Sequence, residues 1–153
     1  MDGHERRGER GVTLVELVTV LAILAVGLVA AMPAVRGVLA TARTHGATAS
    51  LYGALHLTKS RARATGTTHA LVLEPGGRGF RIVEDPAGAA RTVVGPLALA
   101  DGVVATANAT IRFSPKGFAV PFGTITVRSE DVVHRIVVNI LGRARVAGGA
   151  APA

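Results

Sequence analysis

From Val12 to Met32 the chain carries a single ionisable side chain, Glu16, in an otherwise apolar run. At about 21 residues, the run is long enough to cross the roughly 30 Å hydrocarbon core of a bilayer as an α-helix. A carboxylate in such a segment costs about 2.5–3.5 kcal/mol at mid-bilayer and less near the interface. A chain that keeps it has a use for it; the plain alternative is a carboxylate that snorkels to the interface without a partner. With 153 residues in total, the remainder suffices for one modest domain.

The residues around the run decide how it is used. Residues 1–11 (MDGHERRGERG) are polar, and Arg6, Arg7 and Arg10 balance Asp2, Glu5 and Glu9. A general secretory signal has an apolar run of about 7–15 residues followed by a small-residue cleavage site, and this run is longer. The three arginines favour a cytoplasmic N-terminus, although Arg36 and Arg43 beyond the run blunt the asymmetry. Pro33 closes the run; inside a helix it removes a donor and clashes with the preceding turn, so a kink or a stop is expected there. Residues 34–65 place Val35, Val38, Leu39, Ala42, Ala49, Leu55 and Ala62 at mostly three- and four-residue spacings, with Arg36, Arg43, Lys59, Arg61 and Arg63 largely off that stripe. This predicts an amphipathic helix. Gly37, Gly46 and Gly53 weaken it by about 1 kcal/mol each relative to Ala, so tertiary packing must support it.

After Gly66 the pattern changes to strands, expected at 68–74, 80–84, 92–99, 103–106, 110–113, 123–127 and 134–141. The turn-rich segments Pro75-Gly76-Gly77-Arg78-Gly79, Asp85-Pro86-Ala87-Gly88 and Ser114-Pro115-Lys116-Gly117 separate several of them. The tail 148–153 has no pattern and is expected to be disordered. The fold class is therefore α+β: a long N-terminal helix, its first half transmembrane, packed on an antiparallel β-sheet head. The segments are a leader at 1–11, a membrane helix at 12–33, an amphipathic half-helix at 34–65 and a β-rich head at 66–147.

Composition limits the chemistry. The chain has no cysteine, which excludes disulfides, Cys-ligated metals and thiol catalysis. His4, His45, His56, His69 and His134 form no ligand cluster by spacing, and Asp101, Glu130 and Asp131 make no catalytic pair. No enzyme, metal or cofactor is expected. The formal net charge is +7 and lies beyond Gly11. A basic surface there suits anionic lipid, nucleic acid or acidic proteins, or is simply solvated.

Gly11 followed by Val12-Thr13-Leu14-Val15-Glu16-Leu17 resembles the prepilin cleavage motif of type IV pilin-like proteins, with Val12 where the family usually has Phe. The resemblance implies cutting after Gly11 by a prepilin peptidase at the cytoplasmic membrane face and N-methylation of Val12. It makes Glu16 the assembly glutamate, able to pair with a neighbouring subunit's α-amino group, and Pro33 the helix-kinking proline. The second half resembles the GspH/FimT family of minor pseudopilins. The residues that carry this are Phe113-Ser114-Pro115-Lys116-Gly117 after a strand, then Gly123-Thr124-Ile125-Thr126-Val127, then a last strand ending in Gly142-Arg143-Ala144-Arg145.

The resemblance thus implies a pilin-like, single-pass inner-membrane protein with a cytoplasmic N-terminus and a periplasmic head, assembled with other pilins into a filament. In DNA-uptake members a Gly-Arg-x-Arg motif at this place is associated with DNA. Arg143 and Arg145 on a strand would point the same way, with Lys116, Arg112 and Arg135 extending the patch toward double-stranded DNA. Two alternatives stay open: a strand-end turn in which Arg143 is structural, and a minor pseudopilin of a type II secretion system in place of a type IV pilus or DNA-uptake filament.

Overall fold

The computed structural model describes residues 13–130 and 132–150. Gly11 and Val12 lie outside the described residues, as do Asp131 and residues 151–153. The chain divides into two compact units, Met1–Gly37 and Val38–Ala153. One helix, α1 (Leu14–Thr65), contains Pro33 within its span and contributes to both. It begins where Leu17 N donates to Thr13 O at 3.1 Å and ends before Gly66, whose φ of +71° is the left-handed conformation that commonly terminates a helix. In the first unit every described residue of α1 is exposed, with Leu14 at 79% and Val29 at 73%.

The second unit is built on the rest of α1. Its buried face is Ala40, Thr44, Ala47, Thr48, Leu51, Ala54, Leu55, Thr58 and Ala62. Of the stripe expected from spacing, only Leu55 and Ala62 are buried; Val38, Leu39, Ala42 and Ala49 are exposed. The physical reason is that threonine can stand in for an apolar residue on a helix by closing its hydroxyl on the preceding turn. Thr44 Oγ1 donates to Ala40 O at 2.8 Å, Thr48 Oγ1 to Thr44 O at 2.7 Å and Thr58 Oγ1 to Ala54 O at 2.6 Å. With the hydroxyls satisfied, the methyl groups pack and the burial cost of an unpaired polar group does not arise.

Eight strands follow among the described residues: β1 (His69–Leu73), β2 (Gly79–Glu84), β3 (Arg91–Ala98), β4 (Val104–Ala107), β5 (Ile111–Phe113), β6 (Gly123–Ser129), β7 (Val132–Val138) and β8 (Ala144–Ala150). They form two four-stranded antiparallel sheets in the orders β3-β2-β1-β5 and β4-β6-β7-β8. Burial alternates along β6, where Gly123, Ile125, Val127 and Ser129 face inward. The core joins Leu51 and Leu55 of α1 to Phe80, Ile82, Ile111, Phe113, Ile125, Val127, Ile136 and Val138.

Two expectations for the C-terminal end are corrected. The strand expected at 134–141 begins at Val132 and stops at Val138, and residues 148–150 are not a disordered tail but the end of β8. Its sequence, Ala-Arg-Val-Ala-Gly-Gly-Ala, has no apolar alternation to announce a strand. Pairing with β7 in unbroken register, from Val138↔Ala144 to Val132↔Ala150, holds it extended.

Leu51 is fully buried at the centre of this packing. Leu51→Ala is expected to lower the unfolding free energy by about 2–5 kcal/mol, the range for truncating a buried leucine. Urea unfolding of the full chain in detergent, followed by near-ultraviolet signals of the head, measures it.

Candidate functional site

Three places carry side chains with chemistry to offer. The first is the start of α1. Thr13 caps the helix: Glu16 N donates to Thr13 Oγ1 at 3.2 Å, which satisfies one of the donors a helix start leaves orphaned. Thr13-Leu14-Val15-Glu16 has the spacing of a capping box, a helix-start signal legible in the sequence. Glu16 is exposed in the first turn, where a carboxylate is favoured by the helix dipole, and no basic side chain among the described residues pairs with it. The helix behind it is long and apolar enough to cross a membrane.

The second place is the β7–β8 connection. Gly142 and Arg143 do not end a strand; they lie in the loop between β7 and β8. Asn139 closes this loop from both sides, its N donating to Arg143 O at 3.0 Å and its Oδ1 accepting from Arg143 N at 2.9 Å. Gly142 is buried at φ +66°, and a Cβ there would collide with Gly117 O, so only glycine fits. Lys59 of α1 ties the loop down, donating from Nζ to Gly142 O at 2.9 Å and to Leu141 O at 3.3 Å. Ala119 N donates to Ile140 O at 2.9 Å, joining the loop to the segment after Gly117. The exposed Lys116 is thereby carried on a loop that touches the Gly142 turn.

The geometry changes the arginine pairing. Arg143 sits in the turn and Arg145 on β8, so two-residue strand alternation does not align them. Val137↔Arg145 and Arg135↔Ala147 are register partners, which puts Arg135 and Arg145 on one face of the second sheet as diagonal neighbours. Arg135, Arg143 and Arg145 are exposed. The ion pairs among the described residues join Arg81 to Glu74 at 2.9 Å and Arg91 to Glu84 at 2.6 Å, and so neutralise none of the three. Arg143 and Arg145 also line an open groove of about 450 Å³ with Tyr52, His56, Lys59 and Asn139. Arg112, on β5, belongs to the other sheet; its Nε is buried without a hydrogen-bond partner.

The third place is a histidine pair that spacing alone did not reveal. His45 of α1 and His134 of β7 stack edge to face with ring centroids 4.5 Å apart, and His134 Nδ1 lies 3.3 Å from Thr48 Oγ1. Burial, and secondarily the charge of protonated His45, push the His134 pKa below its ordinary value.

A single helix packed on antiparallel sheets, with an exposed apolar N-terminal half and a carboxylate in its first turn, defines a pilin-like subunit. Residues 47–142 match the family described as Type II transport protein GspH, and residues 6–32 match the prokaryotic N-terminal methylation motif. The chain belongs to the GspH family. Among solved structures it is similar to the type IV minor pilin FimU of Pseudomonas aeruginosa, at TM-score 0.58 and 17% identity over 67% of this chain and 87% of that one. It is also similar to the minor pseudopilin EpsH of the type II secretion system of Vibrio cholerae, at TM-score 0.56 and 14% identity over 71% and 96%. At these identities the likeness speaks for the fold. No curated protein matches the chain significantly.

Because folded His134 binds a proton less readily than the unfolded chain, stability rises with pH through the histidine range and is lost as pH falls below the ordinary value of 6.5. The melting temperature is therefore expected to drop between about pH 7.5 and about pH 5.5, and His134→Gln to flatten that drop. Thermal unfolding across a pH series checks both.

Proposed function

We propose that the chain is a minor subunit of an inner-membrane-derived filament of the type IV pilus or DNA-uptake kind, held in the membrane by residues 12–33 until it is assembled. The observation that carries the reading is the apolar first half of α1, exposed along its described length and led by a carboxylate that has no partner among the described residues. Such a surface needs lipid before assembly and other helices after it. In this reading prepilin peptidase cuts after Gly11, Val12 is N-methylated, and Glu16 meets the α-amino group of a neighbour's Val12. Pro33 supplies the kink that lets the helix follow its neighbours. A minor pseudopilin of a type II secretion system is the alternative, and the likeness to EpsH supports it as the likeness to FimU supports the first.

Removing one member of a buried ion pair costs about 3–5 kcal/mol, because the other charge is left uncompensated. Glu16→Ala is expected to leave membrane insertion and leader cleavage intact and to abolish incorporation into filaments. Immunoblots of membrane and sheared-filament fractions measure this; wild-type levels of the variant in filaments overturn the role of Glu16.

A DNA-binding version of the function is favoured by one observation, the placement of Arg135 and Arg145 on a single exposed sheet face with Arg143 and Lys116 on adjoining loops. Guanidinium groups so placed suit phosphates and read no bases, so binding is to duplex backbone and salt-dependent. Full-length protein in detergent is expected to bind a short duplex with affinity that falls steeply with salt. Arg135→Ala/Arg145→Ala is expected to weaken binding about tenfold and flatten the salt slope. Equal binding by both proteins in a salt-series titration removes these arginines from the function.

A further inference from the structure

Of the four sheet edges among the described residues, three are blunted or covered by the chain itself. On β3, Pro96 lacks a donor and the register with β2 is broken by irregularities between Phe80 and Val83. Against β4, Gly77 of the Pro75–Gly77 turn packs so closely on the Ala105 carbonyl that no Cβ fits. Along β5, Val120 N donates to Arg112 O at 2.9 Å and Ala119 bridges Phe113.

The fourth edge, β8, is open among the described residues. It is as long as any strand of its sheet, pairs with β7 without a bulge and contains no proline. The Asn139 N to Arg143 O bond fixes the alternation: Arg145 and Ala147 turn their main-chain groups toward β7. Ala144, Val146, Gly148 and Ala150 therefore turn their N–H and C=O groups outward. Beyond Arg145 the strand is Val-Ala-Gly-Gly-Ala, with no charged side chain to keep another strand away.

We propose that the outer edge of β8 is the docking site for an extended, acidic segment of a different filament subunit, which adds to the second sheet as a further strand. The inference rests on the filament reading above and names the partner's chemistry. Main-chain groups on β8 supply the affinity and the unneutralised Arg143 and Arg145 at its start supply the charge preference. A second copy of this chain fits poorly. Parallel β8–β8 pairing in register sets Arg145 beside Arg145, a like-charge pair. Antiparallel pairing requires a two-fold axis normal to the sheet, which would run the two sheet-packed half-helices in opposite directions, whereas subunits of one filament run parallel.

The test uses the full chain in detergent and a fluorescent synthetic peptide of alternating valine and glutamate, matched to the 7 residues of β8, with a lysine-for-glutamate peptide as control. The expected result is saturable binding of the glutamate peptide, read by anisotropy, and weaker binding of the lysine peptide. Val146→Pro removes an outward donor without touching a β7 bond. It is expected to weaken glutamate-peptide binding at least about tenfold while leaving the melting temperature near that of the parent. Arg145→Glu is expected to reverse the preference toward the lysine peptide, a readout independent of how well the proline variant folds. Undiminished binding by a folded Val146→Pro variant overturns the proposal. So does equal binding of both peptides by the parent, or binding of duplex DNA with neither peptide bound. These measurements need no filament, so a chain that binds the peptide yet never enters filaments fails the filament reading alone. A chain that enters filaments yet ignores the peptide fails only the edge proposal.

Discussion

The head depends on one packing relation, the alanine–threonine face of α1 against two antiparallel sheets. Large side chains at every buried helix position would hold the sheets away; Ala40, Ala47, Ala54 and Ala62 let them approach, and Leu51 and Leu55 fill the space between. The threonines complete that surface because each hydroxyl is satisfied within its own helix. Without cysteine there is no covalent staple, so this contact and the strand ladders carry the fold.

The same relation explains what the sequence revealed. The end of the helix was readable because Gly66 is a helix terminator followed by a change from three- and four-residue spacing to alternation. Seven strands were readable because each carries β-branched or aromatic residues between turn signals. The buried helix stripe differs from the one that Val, Leu and Ala spacing predicts because it runs through Thr44, Thr48 and Thr58, whose hydroxyls the helix itself satisfies. β8 was missed for the opposite reason: nothing in Ala-Arg-Val-Ala-Gly-Gly-Ala favours a strand locally, and its extension comes from the ladder with β7. Without β8 the arginine site is misplaced, since the arginine that shares a sheet face with Arg145 is its diagonal neighbour Arg135, ten residues earlier in the chain.

Lys59 links the packing to the basic surface. Its ammonium group lies against the Leu141 and Gly142 carbonyls and so holds the β7–β8 loop on the helix. The positive charge there is therefore of two kinds. Lys59 is engaged with carbonyl oxygens and is structural, while Arg135, Arg143 and Arg145 are exposed and unneutralised by described acids. A turn role for Gly142 and a binding role for its neighbouring arginines are compatible, because the glycine fixes the loop geometry and the guanidinium groups face solvent.

The division of labour at the start of α1 follows a similar logic. Thr13 caps the helix through its hydroxyl, which accepts from Glu16 N and so fixes the first turn on which the Glu16 carboxylate is carried. Its charge still gains from the helix dipole, which offsets part of the cost of placing a carboxylate beside an apolar segment. The two residues together make a capped helix start that carries an exposed acid with no ion-pair partner among the described residues.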